Sequence, residues 1–363
     1  MPVPLFDPTS PLGPLRAELR SAVHRVLDSG QFILGPEVEA FECEWAAYLG
    51  AQHAVGVANG TEAITIALRA LGVGPGDEVV VPSFTFWATA EAIPPTGATP
   101  VFCDIDPDTL CVTADTVKAA LTPRTKAVIA VHLFGNVAPI REIEALGVPV
   151  IEDAAQAAGS TSVDGRPGAL GTLATFSFYP SKNLGAFGDG GAITTNDAAL
   201  AERVRTLRFH GSADKVDYVE VGYNSRLDEL QAAVLRVQLP HLDTWAAARV
   251  AAGDRYAELL DGLVALPRAT AGSLPAWHLY VVRHAAPDAL LAALSAQGIG
   301  ARAYYRTPIH EQPPMAPYAP AHALPGTAEA ARTHLALPMS AALGADQIET
   351  VATAIRDADL APR

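Results

Sequence analysis

The chain has 363 residues, of which 50% are hydrophobic and 18% charged, enough for one large α/β unit or about two to three domains with a sizeable core. Its 25 Lys and Arg stand against 39 Asp and Glu, a formal net charge of −14. That balance argues against nucleic acid as the main partner, because phosphate backbones recruit a basic stripe, and it leaves room for a local basic pocket for a small phosphorylated substrate. Cys43, Cys103 and Cys111 make neither a metal spacing nor an even disulfide framework, as expected in a reducing cytoplasm. Met1-Pro2-Val3-Pro4 reads as no signal peptide, and Pro, Gly and charges interrupt the apolar stretches, so no membrane partner is expected.

Leu15, Leu19, Val23 and Val26 recur at helical spacing, and Gly30 is a natural stop. A second helix starts near Pro36, with Val38, Phe41, Trp45 and Leu49 on one face. The turn between them, Gln31 to Gly35, either exposes apolar residues such as Phe32 or packs them on the body. From residue 53 strand and helix alternate, with strands expected at 53–58, 78–82, 100–105, 126–132 and 148–153. Several are continuous Val/Ile runs, as in strands buried on both faces of a largely parallel sheet. Ligands usually sit at the strand-to-helix turns along one edge of such a sheet.

Residues 173–178 form a further buried strand, broken at Tyr179-Pro180 and followed by Lys182 and then Gly185, Gly188, Gly190 and Gly191. A helix is expected over 195–207, an irregular polar segment with His210, Lys215 and Tyr218 over 209–224, and a helix over 227–237 that stops at Pro240. The helical stretch 241–260 leads into a smaller C-terminal domain, dividing the chain into 1–240 and 241–363. That domain carries a strand at 278–283, a helix at 289–297, a proline-rich loop at 307–320 that includes His310, and a closing helix with Ile348, Val351 and Ile355.

A single lysine beside a strand end can simply point into water. Here the strand ending at Glu152-Asp153, with Gln156 three residues on, lies just upstream. A buried lysine with a lowered pKa forms Schiff bases, and a carboxylate holds a pyridinium nitrogen protonated; together they suggest pyridoxal phosphate (PLP). Asp153 could equally cap a helix. Asn59-Gly60-Thr61-Glu62-Ala63, between a strand and a helix, reads as a helix cap or as a phosphate cradle, and beside Lys182 the cradle is favoured, with Thr61 and the backbone of Gly60 and Glu62 as donors. In Pro82-Ser83-Phe84-Thr85-Phe86-Trp87 an aromatic ring could be core or could stack on the cofactor.

Glu152-Asp153-Ala154-Ala155-Gln156, Ser177-Phe178-Tyr179-Pro180-Ser181-Lys182 and Gly222-Tyr223-Asn224-Ser225-Arg226-Leu227-Asp228-Glu229-Leu230-Gln231-Ala232-Ala233 resemble signatures of the DegT/StrS family of PLP-dependent sugar aminotransferases. The resemblance implies the PLP-dependent transferase fold type I: a large α/β/α domain with a mixed, mostly parallel sheet and a smaller C-terminal α/β domain. It implies that Lys182 carries the cofactor, Asp153 pairs with the ring nitrogen, Gln156 reaches the ring hydroxyl and Ser177 joins the phosphate set. It places the stacking ring on Phe86 rather than Trp87, and it sends Asn224 across a homodimer to the partner's cofactor phosphate. Arg226 and Lys215 are candidates for an anionic substrate, with Phe32, Tyr179 and His310 as further substrate contacts. Where many members carry a histidine two residues after the glutamine, this chain has Ala158.

The implied reaction moves an amino group from L-glutamate to a keto sugar on a nucleoside diphosphate, with Lys182 as the base. The segment 222–228 favours carbon 3 of a deoxy sugar over carbon 4. A cyclitol or other non-nucleotide ketone is the alternative acceptor, and a non-catalytic PLP-binding regulator is the alternative class. A lyase is disfavoured because relatives of that kind replace the lysine by histidine. No metal is expected. Asp104, Asp106 and Asp108 resemble the start of an EF-hand, but Thr109 and Asp115 stand where Gly and Glu are required, and the histidines lack zinc spacing. Gly188-Asp189-Gly190-Gly191 lacks the context of a dinucleotide fingerprint.

Overall fold

The computed structural model describes residues 2–358. Its strands are β1 His53–Val57, β2 Glu78–Pro82, β3 Thr99–Cys103, β4 Thr125–Val131, β5 Val150–Asp153, β6 Thr161–Ser162, β7 Leu173–Ser177, β8 Gly191–Thr195, β9 Ser273–Leu274, β10 Tyr280–Arg283 and β11 His334–Leu337. The α-helices are α1 Arg16–Ser29, α2 Pro36–Leu49, α3 Gly60–Ala70, α4 Trp87–Glu91, α5 Ala114–Ala120, α6 Ile140–Glu144, α7 Ala198–Arg208, α8 Glu229–Gln238, α9 Leu242–Leu260, α10 Pro287–Ala296, α11 Pro325–Thr333 and α12 Ala345–Asp357.

Seven strands form one sheet in the order β1-β8-β7-β5-β4-β2-β3. β8 runs antiparallel to both neighbours, and the pairings from β7 through β5, β4 and β2 to β3 are parallel. The sheet is thus mixed and mostly parallel, as the Val/Ile runs imply. Helices cover both faces. One face packs Ile64, Leu68, Val79, Val81 and Ile129 with the inner side of α3; the other packs Val80, Val128, Val150 and Ile140. Each large apolar side chain so buried contributes roughly 1.5–3 kcal/mol. A third cluster joins Phe41 and Trp45 of α2 to Phe176 and Phe178, ring edges against ring faces.

The C-terminal layer is built on the antiparallel pair β10–β11, with Tyr256 of α9, Leu294 of α10 and Val351 of α12 sealing it. Val3 is buried in the same cluster, and its backbone bonds Gly298 and Gly300. The first residues therefore pack with the C-terminal layer although the chain continues into the large sheet.

Several elements differ from the sequence expectation. The helix expected from residue 195 starts at Ala198, because Thr195 completes β8 and Asp197 caps the helix, accepting from Ala199 and Leu200 N–H. β8 itself hid behind the glycine run. α11 and β11 were not anticipated, and the proline-rich loop contains two short 3-10 helices, Ile309–Glu311 and Pro313–Tyr318.

Candidate active site

Alternation along β5 separates two adjacent carboxylates, since successive side chains on a strand point to opposite faces. Glu152 is fully buried and structural. Its oxygens accept from the N–H groups of Gly168, Leu170 and Gly171, and from His132 Nε2 at 2.8 Å. Because His132 Nδ1 accepts from Ala138 N–H, the ring hydrogen sits on Nε2. Gly168, at φ +108°, lies so close to Phe176 that a Cβ would stand 2.7 Å from its ring.

Asp153 turns the other way. Thr89 Oγ1 donates to its Oδ2 at 2.8 Å and Ala155 N–H to its Oδ1 at 3.2 Å. Burial pushes its carboxyl above the ordinary value, opposed by the Thr89 and Ala155 donors and by the charge of Lys182. No α-helix follows Asp153, so it caps no helix; the Ala155 bond makes a local turn instead.

Lys182 sits in the loop that follows β7. Lys182 N–H bonds Tyr179 O, Ala186 N–H bonds Phe178 O, and Gln238 Nε2 donates to Gly185 O. Asn183 Nδ2 ties the loop to Ala158 O and Ala276 O. The amine keeps a partly open route to solvent, but the protein mass around it desolvates the charged form and brings its pKa down to about 8, with Asp153 opposing. The cation, from a loop, and the carboxylate, from the end of β5, thus lie within electrostatic reach of each other.

Asn59 caps α3 by accepting from Glu62 N–H at 2.9 Å. That bond engages Glu62 N–H, one of the two backbone donors expected at the cradle, and leaves Gly60 N–H and Thr61 at the helix end. A Cβ on Gly60 would lie 2.8 Å from Ser177 Cβ, so glycine lets the helix end approach the serine hydroxyl. Ser177 Oγ accepts from Tyr179 N–H at 3.3 Å and retains its own hydrogen for an acceptor.

Phe86 and Trp87 part company. Trp87 packs on the core and donates to Glu91 Oε2, whereas the Phe86 ring is 55% exposed beside the Asp153–Thr89 pair's helix. Gln156 is buried, its Oε1 accepting from Phe134 N–H at 2.7 Å and its Nε2 facing Tyr305 Oη at 3.3 Å. His310 Nδ1 meets Ser83 Oγ at 2.5 Å, at the same end of β2 as Phe86. Phe32 and Tyr179 are exposed; the Phe32 turn is anchored by Glu229, which accepts from Gly35, Glu37 and Val38 N–H.

Asn224, Arg226 and Lys215 form a second group. Arg226 bonds Asn224 Oδ1, and Lys215 Nζ and Arg226 Cζ stand 4.8 and 5.9 Å from the Phe209 ring centre. Among the described residues no hydrogen bond joins this group to Lys182 or Asp153 within the chain. Sequence reasoning missed Thr89, His132 and Tyr305. Only Thr89 left a trace, at helical spacing from Thr85.

The donor set fits PLP: an amine poised near neutrality, a buried carboxylate, a hydroxyl against an open helix end, and an exposed flat ring. No group of His, Cys, Asp and Glu among the described residues is arranged to hold a metal.

The DegT/DnrJ/EryC1/StrS aminotransferase family matches residues 14–356. The chain is 46% identical over 362 residues to dTDP-3-amino-3,4,6-trideoxy-α-D-glucose transaminase of Streptomyces venezuelae, covering 98% of this chain and 96% of that one. It is 46% identical over 359 residues to UDP-N-acetyl-3-dehydro-α-D-glucosamine 3-aminotransferase of Acidithiobacillus ferrooxidans, covering 98% and 97%. The crystal structure of S. venezuelae DesV in complex with a ketimine intermediate superposes with a TM-score of 0.95 at 45% identity, covering 99% of each chain. The family's aminotransferases depend on PLP. With the fold type I sheet and these matches spanning nearly its whole length, the chain belongs to the DegT/DnrJ/EryC1/StrS aminotransferase family and is a PLP-dependent aminotransferase.

Proposed function

We propose that this enzyme moves an amino group from L-glutamate to a keto sugar carried on a nucleoside diphosphate, at carbon 3 of the sugar. The observation that carries the reading is the placement of Lys182, in the loop after β7, within electrostatic reach of Asp153 at the end of β5, with Ser177 of β7 packed against the Gly60-Thr61 end of α3. Bound there, PLP supplies the electron sink that makes a proton on the amino-bearing carbon removable. Asp153, ionised, holds the ring nitrogen's proton. Lys182 Nζ, with its pKa brought down to about 8, takes a proton from one carbon and returns it to another. Thr61, Ser177 and the helix end orient the phosphate, Gln156 the ring hydroxyl, and Phe86 covers a ring face.

The acceptor class rests on likeness to the two sugar-nucleotide transaminases and on the cations Lys215 and Arg226 gathered beside Asn224. Both relatives are named for chemistry at carbon 3. Val216, Tyr218, Val219 and Val221 expose 61–82% of their surface on the adjoining loop, which suits coverage by a second copy and delivery of Asn224 to the partner's site. A cytoplasmic homodimer follows from that reading. The test is a panel of matched 3-keto and 4-keto nucleotide sugars offered with L-[15N]glutamate, the product read by mass spectrometry. Label appearing on the 3-keto acceptor supports the reading; label confined to non-nucleotide ketones overturns it.

A further inference from the structure

Arg249 of α9 is an unusual residue in this fold. It is 8% exposed, and among the described residues it makes no ion pair with any carboxylate. Its one hydrogen bond runs from Nη1 to Trp277 O at 3.2 Å, and its buried Nε has no partner. A buried guanidinium without a counter-charge is costly, and sites that keep one usually meet the anion in a ligand. Burial lowers even its pKa, to about 10.

The cavity beside it identifies the ligand's neighbourhood. A space of about 290 Å³ is lined by Arg249 and by Lys182, with Asn183, Gln238, Trp245 and Ser340 on its walls. The N-terminal segment from Phe6 to Leu12 lines its other side. Three consecutive residues join Arg249 to the reactive loop: Asn183 Nδ2 donates to Ala276 O, Arg249 to Trp277 O, and His278 comes next. His278 is buried and its Nδ1 also lacks a partner, while its ring lies 6.0 Å from Phe6. Both Lys182 and Arg249 hold His278 in its neutral form, together with burial. Two orphaned polar atoms, one of them a fixed cation, therefore lie near the amine that the proposed reaction displaces. Asp7 is the one carboxylate on the wall, and its Oδ1 is already taken by Thr9 and Ser10.

We infer that Arg249 binds a carboxylate of the dicarboxylic amino donor in the cavity that adjoins Lys182. This rests on the aminotransferase reading with glutamate as donor. The cavity lies at the lower edge of the roughly 300–1,000 Å³ typical of ligand pockets, which suits an amino acid and is small for a nucleotide-linked sugar. An arginine presents paired donors to a carboxylate, so the site also selects a dicarboxylate over an apolar donor such as alanine. The sugar's cations, Lys215 and Arg226, sit in a separate group, so each half-reaction has its own anion contacts.

The test uses the holoenzyme and glutarate, a dicarboxylate with no amino group to react, titrated by calorimetry. Arg249→Gln should weaken glutarate binding by about tenfold or more, and Arg249→Lys by less. Because the free arginine is unpaired, Arg249→Met should keep or raise the melting temperature without ligand; an arginine that only braces Trp277 would give a lower one. Glutarate affinity within about twofold of wild type in Arg249→Gln overturns the inference, as does a wild type that does not bind glutarate. Failure of the donor reading shows differently: wild type would bind glutarate through Arg249 yet pass no label from L-[15N]glutamate.

Discussion

The end of β5 and the segment 209–226 differ in how far one chain completes them. At β5 every polar group has its partner: Glu152 accepts three backbone N–H groups and one imidazole, and Asp153 accepts a hydroxyl and a backbone N–H. The segment 209–226 leaves Val219 76% and Val221 82% exposed, and holds His210 and Lys215 at φ +66° and +63°, which costs a non-glycine residue roughly 1–2 kcal/mol. The first region is finished before any ligand arrives. The second has the surface of a segment whose neighbours come from outside the chain. Chemistry placed on the first is set by local packing; specificity placed on the second depends on what covers it.

The largest effect expected at the finished region follows from Lys182→Ala. Turnover should cease, and borohydride, expected in wild type to bleach a yellow enzyme and mark the Lys182 peptide, should mark nothing there. A turning-over Lys182→Ala enzyme would remove the centre from this half of the comparison. Next comes Glu152→Ala. It strands the donors of Gly168, Leu170 and Gly171 and leaves a buried cavity, a loss of about 3–5 kcal/mol of stability with lower cofactor retention. Chemical denaturation measures it; a change below about 1 kcal/mol would show that the loop at 168–171 holds itself.

The contrast between the regions also governs what could be read from the sequence. The strands of the parallel sheet were legible because a strand buried on both faces must be a continuous apolar run, as Val79-Val80-Val81 is. Lys182, Asp153 and Gln156 stood out as candidates because their motifs are local. β8 was not: its glycine start masked Ala192 to Thr195, and its antiparallel place between β1 and β7 is set by tertiary pairing. Thr89, His132 and Arg249 were illegible for a similar reason. Each owes its partner to a distant element: Thr89 to Asp153 of β5, His132 to Glu152 of β5, Arg249 to Trp277. The division at residue 240 also misses Val3, whose neighbours are Gly298 and Ile299.

At the unfinished region the expected effects are smaller and concern assembly. A Lys182→Ala protein, inactive alone, and an Asn224→Ala protein, slow alone, should regain activity when their subunits exchange, because in the proposed dimer both lesions then fall in one site and the other is intact. Exchange confirmed by mass spectrometry without recovery would place Asn224 in its own subunit's site. Smaller again is the choice of carbon, since two orientations of one sugar differ by few contacts. The 3-keto sugar should be turned over in preference to the matched 4-keto sugar, and Lys215→Ala should raise KM for both more than it lowers kcat. A preference for the 4-keto sugar would overturn the choice of carbon while leaving the aminotransferase intact.

The smallest effect tests the finished region by a single bond. Thr89 Oγ1 donates to Asp153 Oδ2, and this bond opposes the burial that raises the carboxyl's pKa. Thr89→Val removes the donor and keeps the shape. A hydrogen bond to a charged group is worth about 1.5–3 kcal/mol, and one pKa unit is 1.36 kcal/mol, so the Asp153 pKa should rise by about one to two units. The sign follows from the proposed role, in which Asp153 serves the ring nitrogen as the ionised carboxylate, so that activity is present above its pKa and lost as pH falls through it. The acid limb of the kcat profile should therefore move to higher pH by about that amount, while the rate on the plateau changes little. Stability of the apo chain moves the opposite way. A carboxyl whose folded pKa lies above its unfolded value binds its proton more tightly when folded, so the variant gains relative stability as pH falls. An unshifted acid limb in a folded Thr89→Val enzyme would mean that the ring nitrogen's partner is held by burial and Lys182 alone, and that β5 is less complete than its hydrogen bonds suggest.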